Sequence, residues 1–190
     1  MKKIKKCGKL NLGCCQNIKE GYVNLDIVKR EGVDVIHDLN KIPYPFETSS
    51  VDLIYCSHII EHLDIDTVTF MKEVHRIIKP RGIVIIRVPH FSNRRALEGI
   101  GHKRVYASDS FNRNRYPSDT PDTNTKLNFL VRKKKIIFGK KYNLLNYLIE
   151  PITNINPFIY EDSFLRAFPA QQLYFELEPI NKEESLEERK

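Results

Sequence analysis

The sequence has no tryptophan, and none of its apolar runs approaches the roughly 20 residues needed to cross a membrane. Its basic start, MKKIKKCGKL, is not followed by the apolar segment of a secretory signal peptide. Both features argue against a membrane-spanning or secreted protein. We therefore expect no membrane partner and a cytoplasmic location.

Cysteine is scarce, with four residues in 190. Cys7, Cys14 and Cys15 crowd the start of the chain, and Cys56 stands apart. Adjacent cysteines are poor disulfide partners, and the CxxC pair typical of many zinc sites is missing. We expect reduced thiols and a core without disulfides, because a chain of this length buries about 70% of its unfolded surface.

The length fits a single domain, 1–190. Within it we distinguish a basic segment 1–8, a polar insert 92–126 interpreted as a substrate lid, and a flexible charged tail 181–190. The formal net charge of +7 suits an anionic partner but does not require one.

Short apolar runs and one amphipathic segment predict an α/β fold. The predicted strands are Lys9–Leu12, Tyr22–Leu25, Val33–Ile36, Val51–Tyr55, Ile83–Val88, Leu127–Phe138 and Leu173–Leu177. A helix is predicted from Asp66 or Thr67 until Pro80 stops it, with Gly82 turning the chain, and a short helix at Asp162–Phe168. Leu127–Phe138 also fits a hairpin about Arg132–Lys134.

Polar residues follow the strands at their carboxyl ends, where open parallel sheets bind ligands. Gly13 follows the first strand, and Asp26 ends the second. A glycine there lets the backbone approach a ligand, and the acid can accept hydrogen bonds from ribose hydroxyls. Only Asn17–Glu20 separate this turn from the second strand, which leaves no room for a full helix.

Three motifs together resemble the class I S-adenosylmethionine-dependent methyltransferases, particularly the type 11 group. They are LNLGCC, HIIEHL and KEVHRIIKPRGIVIIRVP, and the resemblance covers roughly Lys9 to Phe91. It implies a Rossmann-like, mostly parallel sheet with an antiparallel last strand and, in this chain, shortened first helices. It also implies S-adenosylmethionine as cofactor, S-adenosylhomocysteine as product, and methyl transfer to an O, N or C nucleophile of a small acceptor. An anionic acceptor would suit the basic residues of the insert.

The resemblance also implies which residues hold the cofactor. Asp26 would bind the ribose hydroxyls, Ile27 would pack on adenine, and the strand-four end would lie near the methyl group. The full set of implied cofactor residues is Asn11, Gly13, Cys14, Cys15, Asp26, Ile27, Asp38, Leu39, Ser57 and His58.

Three positions depart from the family pattern. Asn11 replaces an acid, Cys15 replaces a glycine, and Arg81 replaces the first glycine of the KPGG turn. Asn11 and Cys15 favour the alternative that the chain is a methyltransferase-like cofactor-binding or interaction module without catalysis.

Methyl transfer needs alignment and, for a protonated nucleophile, a base. His58, His90 and His102 are the candidate catalytic residues, because neutral imidazole is well suited to accept a proton near neutral pH. In the alternative interpretation, each of them only satisfies hydrogen bonds within the protein.

His58, Glu61 and His62 also spell HxxEH, a pattern of zinc hydrolases. The following sequence offers no obvious third ligand in helical register, so we predict no metal. A dinucleotide-binding dehydrogenase is disfavoured as well, because Cys15 and Ile18 occupy the later glycine positions of GxGxxG.

Basic and aromatic residues alternate through the insert, as in a groove that binds single-stranded RNA. The aromatic residues are Phe91, Tyr106, Phe111 and Tyr116. The alternative is a solvated lid whose aromatic rings face inward. We favour a small-molecule acceptor over RNA, and the sequence does not specify the oligomeric state.

Overall fold

A computed structural model describes residues 3–112, 128–139 and 143–180. In this part of the chain, seven strands form one sheet with the order β3-β2-β1-β4-β5-β7-β6. The strands are β1 Cys7–Leu12, β2 Val23–Asp26, β3 Val35–Ile36, β4 Val51–Ser57, β5 Ile78–Pro89, β6 Phe129–Ile137 and β7 Gln172–Pro179. Strands β1 to β5 are parallel, and β7 runs antiparallel between β5 and β6. The predicted mostly parallel sheet with an antiparallel last strand is confirmed.

The described residues also form four α-helices: α1 Thr67–Ile77, α2 Arg94–Glu98, α3 Asn143–Ile155 and α4 Pro157–Glu161. Within the same residues, 3₁₀ turns lie at Ile60–His62 and Phe164–Ala167. The connections β1–β2 and β2–β3 are fully described and contain no helix, so the predicted loss of the first helices is confirmed. None of the helices in the described residues is long and apolar enough to cross a membrane.

Helix α1 begins where the sequence predicts. The Asp66 carboxylate accepts a hydrogen bond from the Thr69 amide at 2.8 Å, which caps the first turn. The helix ends at Ile77, before Pro80, and buries an apolar stripe against the sheet.

The turn predicted at Gly82 is wrong, because β5 already begins at Ile78. The pairing with β4 passes from Val51↔Ile78 to Leu53↔Ile83, so the residues between form an irregularity within the strand. Pro80 lies in this irregularity, where a backbone N–H for pairing with β4 is not required. Arg81 beside it adopts a left-handed φ of 62°.

The second half of the chain differs more from the prediction. Strand β6 is continuous with a register shift between Val131 and Lys133, so the hairpin alternative is wrong. The helix predicted at Asp162–Phe168 is the 3₁₀ turn Phe164–Ala167. Helices α3 and α4 were not predicted, and Pro151 inside α3 obscures its helical pattern.

The two faces of the sheet differ in burial. One face carries fully buried apolar residues, among them Leu12, Ile54 and Ile86, which share a core with α1. On the other face, Ile85 and Arg87 of β5 are only half-buried. This face would be covered by helices from the first two connections, which this chain lacks.

Candidate functional site

The carboxyl ends of four neighbouring strands meet at one edge of the sheet. Strand β1 lies between β2 and β4, and all three run parallel. Gly13 therefore lies beside both Asp26, which ends β2, and Ser57, which ends β4. The strand order reverses between β1 and β4, and such a switch point is where α/β sheets bind ligands.

Asp26 holds the turn that follows β1. Its Oδ2 accepts a hydrogen bond from the Cys15 amide at 2.8 Å, and its Oδ1 accepts one from the Val28 amide at 2.9 Å. Arg30 Nη1 lies 3.7 Å from Oδ1. The carboxylate is thus largely buried, with 7% of the residue exposed, and joins the two strand ends.

The turn itself uses left-handed backbone conformations. Gly13 has a φ of 63°, which suits glycine, whereas Cys15 adopts a φ of 46° with its side chain exposed. Cys14 is buried and its amide donates to the Leu25 carbonyl at 3.0 Å. Cys15, which replaces the family glycine, therefore keeps a left-handed backbone with its side chain in solvent.

Asn11 is a buried residue of β1 whose side chain contacts the β1–β2 connection. Its amide donates to the Asn17 carbonyl and to Asn24 Oδ1, each at 2.8 Å. In this structure its amide therefore holds the short connection in place of a helix.

Ile27, Asp38 and Leu39 lie beside Asp26 along the same edge. The side chain of Ile27 is 60% exposed, which leaves an apolar surface for a flat ring. Asp38 Oδ1 accepts a hydrogen bond from the Asn40 amide at 3.0 Å. Leu39 is buried in the core, and its carbonyl accepts from the Tyr44 hydroxyl, so its side chain does not face this surface.

Ile59 occupies the switch point, and sequence reasoning missed it. A Cβ on Gly13 would lie 2.5 Å from Ile59 Cγ1, so the isoleucine packs directly on the glycine backbone. The space above Gly13 is therefore filled by a side chain from the segment that follows β4. A cavity of about 350 Å³ lies away from this edge, along the first half of β6.

The three candidate catalytic histidines have different surroundings. His58 follows β4 with a φ of 53°, and its side chain is 45% exposed. Its Nδ1 lies 3.4 Å from Glu61 Oε1, and its Nε2 lies 3.1 Å from Gln172 Oε1. The Glu61 carboxylate, 3.4 Å from Nδ1, raises the pKa of His58 above 6.5, although burial opposes this shift.

His90 and His102 are engaged inside the protein. His90 is fully buried, with Nδ1 2.8 Å from Ser92 Oγ and Nε2 3.0 Å from Glu161 Oε1. His102 Nδ1 lies 3.2 Å from the Ala96 carbonyl, and its ring packs edge-on against His62. The structure therefore brings only His58, of the three, to the sheet edge with an exposed ring.

Comparisons with known proteins agree with this geometry. Residues 14–86, less than half of the chain, match the profile of a family described as "Methyltransferase domain", type 11. This segment is similar to the type 11 methyltransferases. The match contains β2 to β4, α1 and most of β5, so the prediction of this family from the motifs is confirmed. A search of curated protein sequences found no match.

Solved structures show that the methyltransferase fold continues beyond the matched segment. A SAM-dependent methyltransferase from Archaeoglobus fulgidus superposes with a TM-score of 0.57 at 18% identity, covering 92% of this chain and 87% of that chain. A chain of the Haloferax volcanii complex between the Trm112 methyltransferase activator and a methyltransferase candidate gives 0.56 at 14% identity, covering 95% and 86%. The [4+2]-cyclase SpnF gives 0.54 at 10% identity, covering 95% and 78%.

These superpositions establish the class I, Rossmann-like methyltransferase fold. They do not identify the reaction, which depends on the residues at the site. The [4+2]-cyclase SpnF has a similar fold, so the fold alone does not identify the reaction. The region after β5 lies outside the family match and contains the insert.

Proposed function

We propose that this methyltransferase domain binds S-adenosylmethionine at the carboxyl ends of β1, β2 and β4 and transfers its methyl group to a small acceptor. Similarity to the type 11 family supports S-adenosylmethionine as the cofactor. The observation that carries the proposal is the contact between the glycine turn and Asp26, whose carboxylate lies at the end of β2 beside the exposed Ile27.

The adenosine half of the cofactor fits the described residues. Asp26 lies where ribose hydroxyls would reach its carboxylate, and Ile27 offers an apolar surface for adenine. Both Asp26 oxygens already accept backbone hydrogen bonds, but a carboxylate has about four lone-pair sites and can accept further donors. The methionine half would lie over Gly13, where binding requires the Ile59 side chain to move.

When bound, the cofactor supplies an activated methyl group, so the protein mainly has to align the acceptor. His58 is the candidate for that contact, because it follows β4 and remains 45% exposed. Gln172 and Glu61 hold the two ring nitrogens in place. Alignment of this kind is worth up to about 7–11 kcal/mol in well-oriented reactions.

A small acceptor fits the described part of the insert better than RNA. Tyr106 and Phe111 are buried and stack on each other with ring centroids 5.8 Å apart, so they do not offer their faces to bases. Lys103 pairs with Asp64, and Arg104 donates to the Leu63 carbonyl. Tyr116 and residues 113–126 of the predicted lid lie outside the described residues, as does the tail 181–190.

A second candidate, a domain that does not transfer a methyl group, is favoured by one observation. Ile59 packs on Gly13, so a cofactor whose methionine part lies over Gly13 would have to displace this side chain. Binding of S-adenosylhomocysteine is expected of an enzyme and of a cofactor-binding module without catalysis, whereas absence of binding would leave an interaction module.

Titration calorimetry with S-adenosylhomocysteine tests the proposal. We expect binding to the wild-type protein and a loss of more than about 1 kcal/mol in Asp26→Ala, because a charged acceptor is removed. Asp52→Ala is the control, since Asp52 lies at the start of β4 and pairs with Lys79. Unchanged affinity in Asp26→Ala, with the fold intact by circular dichroism, contradicts the ribose assignment, and absence of binding to the wild type supports the second candidate.

A further inference from the structure

Three metal-binding side chains meet behind the Ile60–His62 turn. Glu61 and His62 come from the turn itself, and His102 comes from the loop after α2. One ligand atom of each lies within 4.8 Å of those of the other two. The Lys103 amide donates to the Glu61 carbonyl at 2.7 Å, which fixes the loop against the turn.

The Glu61 carboxylate lacks the partners that a buried charge needs. Glu61 is only 1% exposed, and neither of its oxygens has a hydrogen-bond partner in the described residues. Its ion pair in this structure is the 3.4 Å approach of His58 Nδ1 to Oε1. A buried carboxylate without hydrogen bonds is unfavourable, and a cation beside Oε2 would compensate it.

Each of the two imidazoles has its Nδ1 beside a backbone carbonyl. His62 Nδ1 lies 3.2 Å from the Gly101 carbonyl, and His102 Nδ1 lies 3.2 Å from the Ala96 carbonyl. A carbonyl oxygen only accepts, so each Nδ1 carries the proton and each neutral ring keeps its lone pair on Nε2. Metal-bound histidines in proteins are held by the same kind of bond from the other ring nitrogen.

Two glycines let the loop close around the rings. A Cβ on Gly99 would lie 2.8 Å from His102 Cγ and Cδ2, and a Cβ on Gly101 would lie 3.2 Å from His62 Nδ1. The ring centroids of His62 and His102 are 4.5 Å apart with an interplanar angle of 70°. Neither glycine adopts a left-handed φ, so their small size is needed for the close approach alone.

We infer that Glu61, His62 and His102 form a binding site for a divalent transition-metal ion. Two imidazoles and one carboxylate suit zinc and similar ions, whereas magnesium and calcium prefer oxygen ligands alone. Bonds of about 2.0–2.2 Å place ligand atoms within roughly 4 Å of one another, so small side-chain rotations close the site. Because His62 is exposed, a fourth position faces solvent.

This ligand set differs from the one that HxxEH suggests. His58 lies between Glu61 and Gln172 and is not part of the cluster. His102, 40 residues beyond His62 in the numbering, takes the third place. The expectation of no metal rested on a missing third ligand within helical register, and the fold supplies one from outside it. The inference does not depend on methyl transfer.

Zinc titration of the metal-stripped full-length protein tests the site. Calorimetry against a competing chelator should give one ion per chain with submicromolar affinity. We expect at least a 100-fold loss of affinity in each of His62→Asn, His102→Asn and Glu61→Gln, and a zinc-dependent rise in Tm in the wild type only. Near-ultraviolet circular dichroism without metal checks that each variant folds.

His75→Asn is the matched control, because His75 is also half-buried and its Nε2 lies 3.2 Å from the Ile180 carbonyl. It should bind zinc like the wild type. Absence of zinc binding to the wild type overturns the inference, as does binding that survives all three substitutions. Cobalt spectra that show thiolate ligation would also overturn it, because they would place the ion on cysteines.

Discussion

Several non-glycine residues adopt left-handed backbone conformations, and three of them lie in motifs shared with the family. Cys15 and Arg81 stand where the family has glycine, with φ of 46° and 62°. His58, which directly follows β4, has a φ of 53°. For a residue with a Cβ this conformation costs roughly 1–2 kcal/mol. The family glycines are thus explained by backbone geometry, which this chain keeps at some cost in stability.

Cys15→Gly should stabilise the protein slightly. The relief of left-handed strain exceeds the roughly 0.5–1 kcal/mol that glycine loses through greater freedom in the unfolded chain, so we expect a net gain of up to about 1 kcal/mol. Urea unfolding measures it. Cys15→Ala keeps the Cβ and should show no gain, and an equal gain in both variants would mean that the thiol, not the backbone, is responsible.

Glu161 links stability to pH. Burial alone would raise its pKa, but hydrogen bonds from His90 and Ser108 outweigh burial and lower the pKa below its usual 4.5. The folded state therefore binds this proton less readily than the unfolded state. The resulting stabilisation is present above the unfolded pKa of about 4.5 and is lost as the pH falls through the lower folded pKa.

Glu161→Gln should cost about 1.5–3 kcal/mol near neutral pH, because bonds to a charged acceptor are lost. Its unfolding free energy should also fall less steeply than that of the wild type as the pH drops below about 4.5. Glu98→Gln, at an exposed residue paired with Arg94, is the control and should follow the wild type. Parallel pH curves for wild type and Glu161→Gln would contradict this assignment.

At the scale of elements, the segment Ser57–His62 determines what the ligand edge can bind. It carries Ile59 onto Gly13, His58 to the exposed edge, and Glu61 inward toward His102. The connections after β1 and β2, where such sheets commonly place helices, are short turns held by Asn11 and Asp26. One segment after β4 therefore contacts both the proposed cofactor position and the proposed metal site.

Ile59→Ala should tighten binding of S-adenosylhomocysteine. Exposing an isoleucine costs about 1.5–3 kcal/mol, so a variant that need not displace it should bind about tenfold more tightly or better. Ile18→Ala is the matched control, because Ile18 packs on Gly32, another glycine with left-handed φ. Equal or weaker affinity in Ile59→Ala, measured by calorimetry, would show that Ile59 does not limit binding.

At the scale of the whole molecule, one sheet joins the family-matching segment to the remainder of the chain. Strand β7 lies between β5 and β6, and its residues Leu173, Phe175 and Leu177 share the core with β4 and β5. The region that lies outside the family match therefore completes the same core.

The chain should unfold in one cooperative transition, as expected for a single domain of this size. Far-ultraviolet circular dichroism and the fluorescence of the nine tyrosines, free of any tryptophan signal, should give the same urea midpoint. Two separated transitions would mean that the segment after β5 folds independently, contrary to the predicted single domain.

The sequence by itself determined the fold class, the position of α1 and the central strands, because apolar periodicity and the Asp66 cap are local signals. It also determined the pairing of Gly13 with Asp26 at one edge, since parallel strands place their carboxyl ends together. The ends of β3 and β5 were missed, because they depend on the strands with which these strands pair. Helix α3 was missed, because Pro151 lies inside it.

Only the tertiary structure decided which side chains meet at the site. Ile59 lies on Gly13 and His102 lies beside Glu61 because a strand, a 3₁₀ turn and a distant loop converge. The spacing of residues in the sequence does not predict these contacts. Leu39 turned to the core and His90 became fully buried for the same reason. Periodicity reports which way a residue faces within its own element, whereas contacts between elements depend on how those elements pack.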